Sequence, residues 1–210
     1  MNPWLYLAAA YLVGSIPSSY IAGRAARGID LREHGSGNLG ATNTFRVLGA
    51  RIAAPVMVAD ILKGFLPTYL FVRWDASPAW TWALAYGAAT IVGHVFSIYM
   101  RFRGGKGVAT AAGVFLALSP VAVLCALGVW LGTLFGSRMV SLASICAALA
   151  LIVALLLTES RPAVMVLGIL VATFVVFAHR ANIGRILRGE EYRFGRSRGG
   201  PDGLRGEESS

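Results

Sequence analysis

Apolar residues run along this chain in long blocks separated by a few short polar segments. Five windows contain no Asp, Glu, Lys or Arg: residues 3–23, 77–100, 107–137, 139–158 and 162–179. A sixth, 52–72, is apolar apart from Asp60 and Lys63. Crossing a hydrocarbon core takes about 20 consecutive apolar residues, so each window predicts a membrane helix. The window 107–137 is too long for one crossing and carries Ser119-Pro120 near its middle, which predicts two shorter spans meeting at a turn. The pattern therefore predicts an all-α integral membrane protein with seven transmembrane helices.

Charge gives that arrangement a direction. With the amino terminus outside, seven spans place 16 of the 19 basic residues on the inner side, only Arg73 and Arg161 outside, and Lys63 within a span. This asymmetry is what the positive-inside rule demands, whereas six spans would expel the arginine-rich carboxyl terminus. The expected location is the cytoplasmic (inner) membrane, with the carboxyl terminus cytoplasmic. Composition agrees: 56% of the residues are apolar, 14% are charged and the mean hydropathy is +0.65, too little polar surface for a soluble domain of 210 residues. The pI near 10.3 raises nucleic acid as a partner, but the arginines are spread through short loops without a recognisable binding module. Topology and anionic headgroups account for the charge, so membrane lipids and no nucleic acid are expected. Met1-Asn2-Pro3 lacks the basic leader of a cleaved signal. Cys125 and Cys146 fall inside apolar windows and read as small core residues. Residues 1–192 read as one transmembrane domain, and 193–210, rich in Arg, Gly, Ser and Glu, as a disordered tail.

The same topology puts three polar stretches on one side: GSGNLGATN from Gly35, RFRGGKGVAT from Arg101 and HRANIGRILRGEE from His179. In the first, Gly35, Gly37 and Gly40 match a dinucleotide-type glycine spacing, but no strand or βαβ unit surrounds it. What remains is local: glycines let backbone N–H groups converge on an anion, and Ser36, Asn38, Thr42 and Asn43 add donors. Thr42 or Asn43 could cap a helix running through Arg46, with its positive end toward the same anion. A purely structural interfacial turn is the alternative. In the second stretch, Gly104-Gly105-Lys106-Gly107 lacks the spacing of a nucleotide-triphosphatase loop, so ATP hydrolysis is not expected, yet Lys106 beside a glycine turn suits a phosphate. Its alternative is an ordinary basic flank. In the third, His179 and Asn182 share a helix face and could orient or polarise a carbonyl or phosphate. Arg185, Arg188 and Glu190 follow on an amphipathic extension. His94 reads first as a structural histidine, and Asp60 with Lys63, three apart, as an ion pair that shapes the site.

Several chemistries are excluded. No His has an Asp five positions on: Leu39, Tyr99 and Gly184 follow His34, His94 and His179. The G-x-S-x-G centred on Ser197 lies in the tail without a strand-to-helix turn. No cluster has metal-site spacing, and neither metal nor cofactor is expected.

Taken in order, GSGNLGATN, DILKG at Asp60, GHVFSIYMRFRGGKGVAT from Gly93, SLAS at Ser141 and HRANIGRILRGEE resemble the bacterial membrane acyl-phosphate:glycerol-3-phosphate acyltransferases of phospholipid synthesis. Ser97, where Pro is common, and Arg103, where Lys is common, depart from the pattern. The resemblance implies a seven-helix enzyme that moves a fatty acyl group from acyl phosphate to the 1-hydroxyl of glycerol 3-phosphate, giving lysophosphatidic acid and inorganic phosphate. Under it, Ser36, Gly37, Asn38, Gly40, Thr42, Asn43, Gly104 and Gly105 cradle phosphate, and Arg46 and Lys106 neutralise it. His179 and Asn182 orient the donor or stabilise the oxyanion, Ser141, Ser144 and Glu190 add polar contacts, and Asp60, Lys63 and His94 support the site. No stable protein partner is implied. The rivals are an enzyme of the same fold using acyl-CoA or acyl-carrier protein, and a transporter of a phosphorylated metabolite. Against the transporter, the cations gather on one face and the outer connections near Arg73 and Arg161 are too short for a matching gate.

Overall fold

The computed structural model describes residues 2–75 and 79–195. Among these, every regular element is helical: α1 (Pro3–Ser15), α2 (Ser18–Arg27), α3 (Ala41–Leu48), α4 (Ala50–Leu66), α5 (Val72–Trp74), α6 (Thr81–Val95), α7 (Val108–Leu118), α8 (Pro120–Ser137), α9 (Val140–Thr158), α10 (Pro162–Ala178) and α11 (Arg180–Leu187). A π turn, Pro67–Phe71, joins α4 to α5, and a 3₁₀ turn, Ile98–Met100, follows α6. From 196 onward the expected tail lies outside the described residues, as does Ser197.

Five helical runs are long and apolar enough to cross a membrane: Pro3–Arg27, Ala50–Trp74, Thr81–Met100, Pro120–Ser137 and Val140–Thr158. The pair α10–α11, bent by 53°, makes a sixth if it is one span. The predicted break at Ser119-Pro120 is present, with Ser119 ending α7 and Pro120 opening α8. Its consequence is a short α7. Eleven residues rise about 16 Å, half of a roughly 30 Å hydrocarbon core, so length supports five or six crossings where the apolar pattern predicts seven.

Membrane helices gain little from hiding apolar surface against one another, so close backbone approach decides which ones pair. Two crossings use glycine for it. Where α1 meets α6, a side chain on Gly14 would strike the Thr90 backbone, and one on Gly93 the Tyr11 carbonyl and Ser15. Where α4 meets α7, Gly64 lies against the Thr110 carbonyl and Gly113 against the Ile61 carbonyl. Phe115, Val114, Leu155, Val164 and Val175 then fill the main apolar core between α7, α9 and α10. These crossings hold the loops after α2, α6 and α10 together at one end, and they fix α4 with Asp60 and Lys63 inside it.

A methyl added to Gly64 or Gly113 meets backbone that cannot step aside, and overpacking of that kind costs about 1–3 kcal/mol. Gly128 on α8 faces open space. Thermal unfolding in detergent, followed by tryptophan fluorescence, is expected to show Gly64→Ala and Gly113→Ala several degrees below the parent and Gly128→Ala unchanged. Equal midpoints for all three would refute glycine-mediated contact between α4 and α7.

Candidate active site

The first polar stretch is a tight loop whose shape is set by one residue. Gly35 and Gly37 hold φ of 65° and 70°, a region that glycine enters without strain. Asn43 then ties the loop down: its Oδ1 accepts from the Ser36 N–H at 2.8 Å, and its Nδ2 donates to the Leu31 and His34 carbonyls, both at 3.0 Å. Asn43 is 1% exposed. Its amide is fully engaged with the loop's own backbone, so the expected substrate contact by Asn43 is corrected to a structural clamp. The expected cap is corrected as well. Extended Gly40 precedes α3 with no side-chain cap bond, and Thr42 lies within the first turn. Ser36 and Gly37 are exposed, while Asn38, Gly40 and Thr42 are partly so, leaving this loop and the α3 start open to an anion.

The second stretch is strained and pressed against the first. Arg101 and Phe102 are consecutive non-glycine residues with φ of 54° and 61°, a conformation that costs free energy and persists only where neighbours impose it. They turn the chain so that Gly104 N–H reaches the Val95 carbonyl at 2.9 Å and Gly105 N–H the His94 carbonyl at 3.1 Å. A Cβ on Gly104 would meet the His94 carbonyl, and one on Gly105 the Leu39 carbonyl and the His94 ring. These two glycines therefore serve close backbone approach, which brings Lys106 beside the first loop. Gly107, with φ 78°, starts α7 directly afterwards.

The third stretch supplies the centre. Asn182, 5% exposed, accepts from the Lys106 ammonium through Oδ1 and donates through Nδ2 to Glu191 Oε1 at 2.8 Å. Glu191 also accepts from Ser141 Oγ at 2.9 Å and Arg185 Nε at 2.7 Å, and its Oε1 lies 3.6 Å from the Arg46 guanidinium. Three cations thus surround one carboxylate. Burial by itself would raise the Glu191 pKa, but hydrogen bonds from Asn182, Arg185 and Ser141 outweigh it and hold the carboxyl below its ordinary value. Burial lowers the Lys106 pKa to about 8, with Arg185, Arg46 and Arg180 adding to the fall against the opposing pull of Glu191.

His179 is 4% exposed, and its Nδ1 lies 2.7 Å from the Val175 carbonyl. A carbonyl only accepts, so Nδ1 carries the proton. In the neutral ring the Nε2 lone pair is then free to accept. In its neutral form His179 is a hydrogen-bond acceptor at its outer nitrogen, an arrangement suited to orienting a substrate group.

Two expected contacts are not brought into this cluster. Glu190 is exposed and pairs at 2.8 Å with exposed Arg188, and the inward carboxylate is its neighbour Glu191, missed in the sequence, where Arg185 is read only as part of the amphipathic extension. The available signal was Gly189: its φ of 71° reverses the chain after α11 and swings residue 191 back under Asn182. Ser144 is also turned away, donating to the Val140 carbonyl at 2.9 Å and facing Trp130 on α8.

Asp60, Lys63 and His94 form a second polar group behind Gly105. Lys63 Nζ bonds Asp60 at 2.8 Å and the Ile16 carbonyl at 2.9 Å, and Ser18 donates to Asp60 at 2.9 Å. The ion pair expected from the sequence is present, and it also satisfies the helix break at Ile16-Pro17. His94 Nδ1, 3.8 Å from Asp60, is too far for a hydrogen bond and borders a cavity of about 10 Å³, room for one water. Ser97 donates to the Ser15 carbonyl, a bond that proline could not make. Among the described residues no group of three His, Cys, Asp or Glu could hold a metal ion.

Known proteins share this arrangement of sequence and fold. The family model described as glycerol-3-phosphate acyltransferase matches residues 4–189. A glycerol-3-phosphate acyltransferase of Geotalea daltonii is 45% identical over 187 residues, covering 89% of this chain and 95% of that protein, and one of Fusobacterium nucleatum is 39% identical over 189, covering 90% and 96%. The crystal structure of PlsY, described as an integral membrane glycerol 3-phosphate acyltransferase, in its glycerol 3-phosphate form superposes with a TM-score of 0.83 at 39% identity, covering 92% of this chain and 96% of its own. Its lysophosphatidic acid form gives 0.82 at 38%, covering 92% and 95%. With the match running through all three polar stretches to residue 189, the chain belongs to the glycerol-3-phosphate acyltransferase family.

Proposed function

We propose that this chain is a membrane enzyme that transfers a fatty acyl group from acyl phosphate to the 1-hydroxyl of glycerol 3-phosphate. The observation that carries the reading is the Lys106–Asn182–Glu191 relay, with Arg46 and Arg185 beside it, where the three polar stretches meet. Three cations against one carboxylate leave an excess of two positive charges, suited to substrates that both carry phosphate. Seven spans with the amino terminus outside, α7 being the short one, would put this cluster at the cytoplasmic face of the inner membrane. Substrates made in the cytoplasm then reach it directly.

Acyl phosphate is a mixed anhydride, so its leaving group needs no covalent activation by the protein. The glycerol hydroxyl oxygen attacks the acyl carbon, the carbonyl becomes a tetrahedral oxyanion, and the bond from carbon to the phosphate oxygen breaks. The hydroxyl proton ends on the departing phosphate. His179 Nε2 accepts a hydrogen bond from that hydroxyl and aligns it, a task for which the Val175 carbonyl has fixed the tautomer. The Lys106 ammonium and the second amide hydrogen of Asn182 stabilise the oxyanion. Arg46, Lys106 and the Ser36–Thr42 loop hold the phosphates. Ser141 and Glu191 keep Asn182 oriented. No cofactor enters the scheme.

Phosphate release by the purified full chain from palmitoyl phosphate tests this directly. Release is expected only with glycerol 3-phosphate present, and Arg46→Ala or Lys106→Ala is expected to lower kcat/KM by roughly 10²–10³, as loss of a charge-stabilising donor does. Release from palmitoyl-CoA but not palmitoyl phosphate would move the donor to the thioesters. Net uptake of glycerol 3-phosphate into liposomes without an acyl donor would favour the transporter.

A pH profile tests Lys106 separately. Its pKa near 8 means that it carries charge below that value and loses it above, so phosphate attraction weakens as pH rises. Log kcat/KM, which reports the free enzyme, is expected to fall with an alkaline limb near pH 8, and Lys106→Arg is expected to move that limb upward. An unchanged limb in Lys106→Arg would assign the titration to another group.

A further inference from the structure

Past the last residue that the family model matches, the chain continues as a strap over the cytoplasmic edge of the site. Glu191 points under Asn182. Tyr192 then lays its ring over Arg46, with the guanidinium carbon 4.8 Å from the ring centroid. Phe194 packs its ring at a tilt against Phe45 of α3, with centroids 5.4 Å apart, and its backbone N–H donates to the Arg138 carbonyl at 2.7 Å in the turn between α8 and α9. Three elements therefore anchor four residues of irregular chain.

Tyr192 is one of the contacts that restrain Arg46. The long arginine side chain carries several rotatable bonds, and holding it in one geometry costs rotamer entropy. Glu191 does not supply that restraint by itself. At 3.6 Å its contact with Arg46 is one of charge and not of hydrogen-bond geometry, and its oxygens already accept from Ser141, Asn182 and Arg185. The ring face of Tyr192 adds a second contact to the guanidinium.

We infer that Tyr192 is a positioning residue: its ring face, 4.8 Å from the Arg46 guanidinium carbon, helps to hold that side chain in place, so that Arg46 meets one substrate's phosphate already positioned. This rests on the reading above in which Arg46 binds a substrate phosphate. Tyr192 acts through Arg46 and touches no reacting atom. Its effect belongs to the affinity for the one substrate whose phosphate Arg46 holds. A residue that merely stabilised the fold would move both substrates alike.

The test is steady-state kinetics of the full chain in detergent, varying palmitoyl phosphate and glycerol 3-phosphate in turn, for the parent, Arg46→Lys, Tyr192→Phe, Tyr192→Leu and the double variant Arg46→Lys/Tyr192→Leu. Arg46→Lys is expected to raise the KM of one substrate. Tyr192→Leu is expected to raise the KM of that same substrate roughly three- to tenfold, the scale of a lost cation–π contact, with kcat within about twofold. Tyr192→Phe keeps the ring face and is expected to stay within about twofold of the parent, a span that the loss of a cation–π contact exceeds. The double variant is expected to fall short of the product of the two single effects, because the ring places the larger guanidinium more firmly than it places a flexible lysine ammonium, which still attracts the ring face. If Tyr192→Leu does not fold, Tyr192→Met, which keeps bulk without a π face, is read the same way. A Tyr192→Leu effect that falls on both KM values, appears only in kcat, or multiplies with that of Arg46→Lys overturns the inference while leaving the site reading intact. If Arg46→Lys leaves both KM values unchanged, the site reading fails first and the role of Tyr192 with it.

Discussion

The carboxylate of Glu191 is the interaction on which the site depends. It is the acceptor common to Ser141 on α9, Asn182 and Arg185 on α11, and it lies within charge contact of Arg46 on α3. Without it, two arginines and a lysine would sit close together half out of water, and their repulsion would open the space between the helices. Removing one member of a buried ion network costs about 3–5 kcal/mol because the remaining charges lose their compensation. The same carboxylate fixes Asn182 with its oxygen toward Lys106, which sets where the ammonium points. Packing, electrostatics and chemistry converge on this one group.

The bilayer explains why the group sits where it does. A segment in hydrocarbon must satisfy its backbone internally, so irregular chain is confined to the ends or to protein-lined cavities. Here the three polar stretches gather at one end, where the glycine crossings of α1 on α6 and α4 on α7 bring their flanking loops within reach of one another. The exception deeper in the helices is the break at Ile16-Pro17, and it carries its own partners: Lys63 takes the Ile16 carbonyl, Asp60 takes Ser18, and Ser97 takes the Ser15 carbonyl. A buried ion pair that also satisfies freed backbone avoids the penalty that an isolated pair would bear.

Much of this was legible in the sequence, and the parts that were not share a cause. Apolar blocks report helices, Ser119-Pro120 reports a break, and glycine-rich loops with Arg46, Lys106, His179 and Asn182 report which polar stretches the fold gathers. These are signals of composition and period. What composition does not carry is direction. Glu190 and Glu191 are the same residue type side by side, and only the reversal at Gly189 decides which one turns inward. Asn43 looks like a donor for substrate until the loop is seen to use both ends of its amide. Ser141 and Ser144 lie three apart on α9, yet Ser144 faces Trp130 and Ser141 faces Glu191. The seven-span count meets a similar limit, because hydropathy registers the apolar character of α7 but not the loss of length imposed by the turn at Ser119.

Glu191 also bears on whether the enzyme itself is acylated on the way. Ser141 donating to a buried carboxylate has the outward form of an activated nucleophile, and an acyl-serine route would follow if the carboxylate took the proton. The surrounding donors oppose it. Asn182, Arg185 and Ser141 together stabilise the ionised form of Glu191, and a carboxylate made more acidic is a weaker base. Ser141 stands as a donor to that carboxylate, which supports the proposed direct passage of the acyl group from one substrate to the other. That outcome suits the donor. An acyl phosphate already carries the leaving group that a covalent intermediate would otherwise have to create, so the protein's share of the work is to hold two phosphates near each other against their mutual repulsion. The excess positive charge around Glu191 is what that requires.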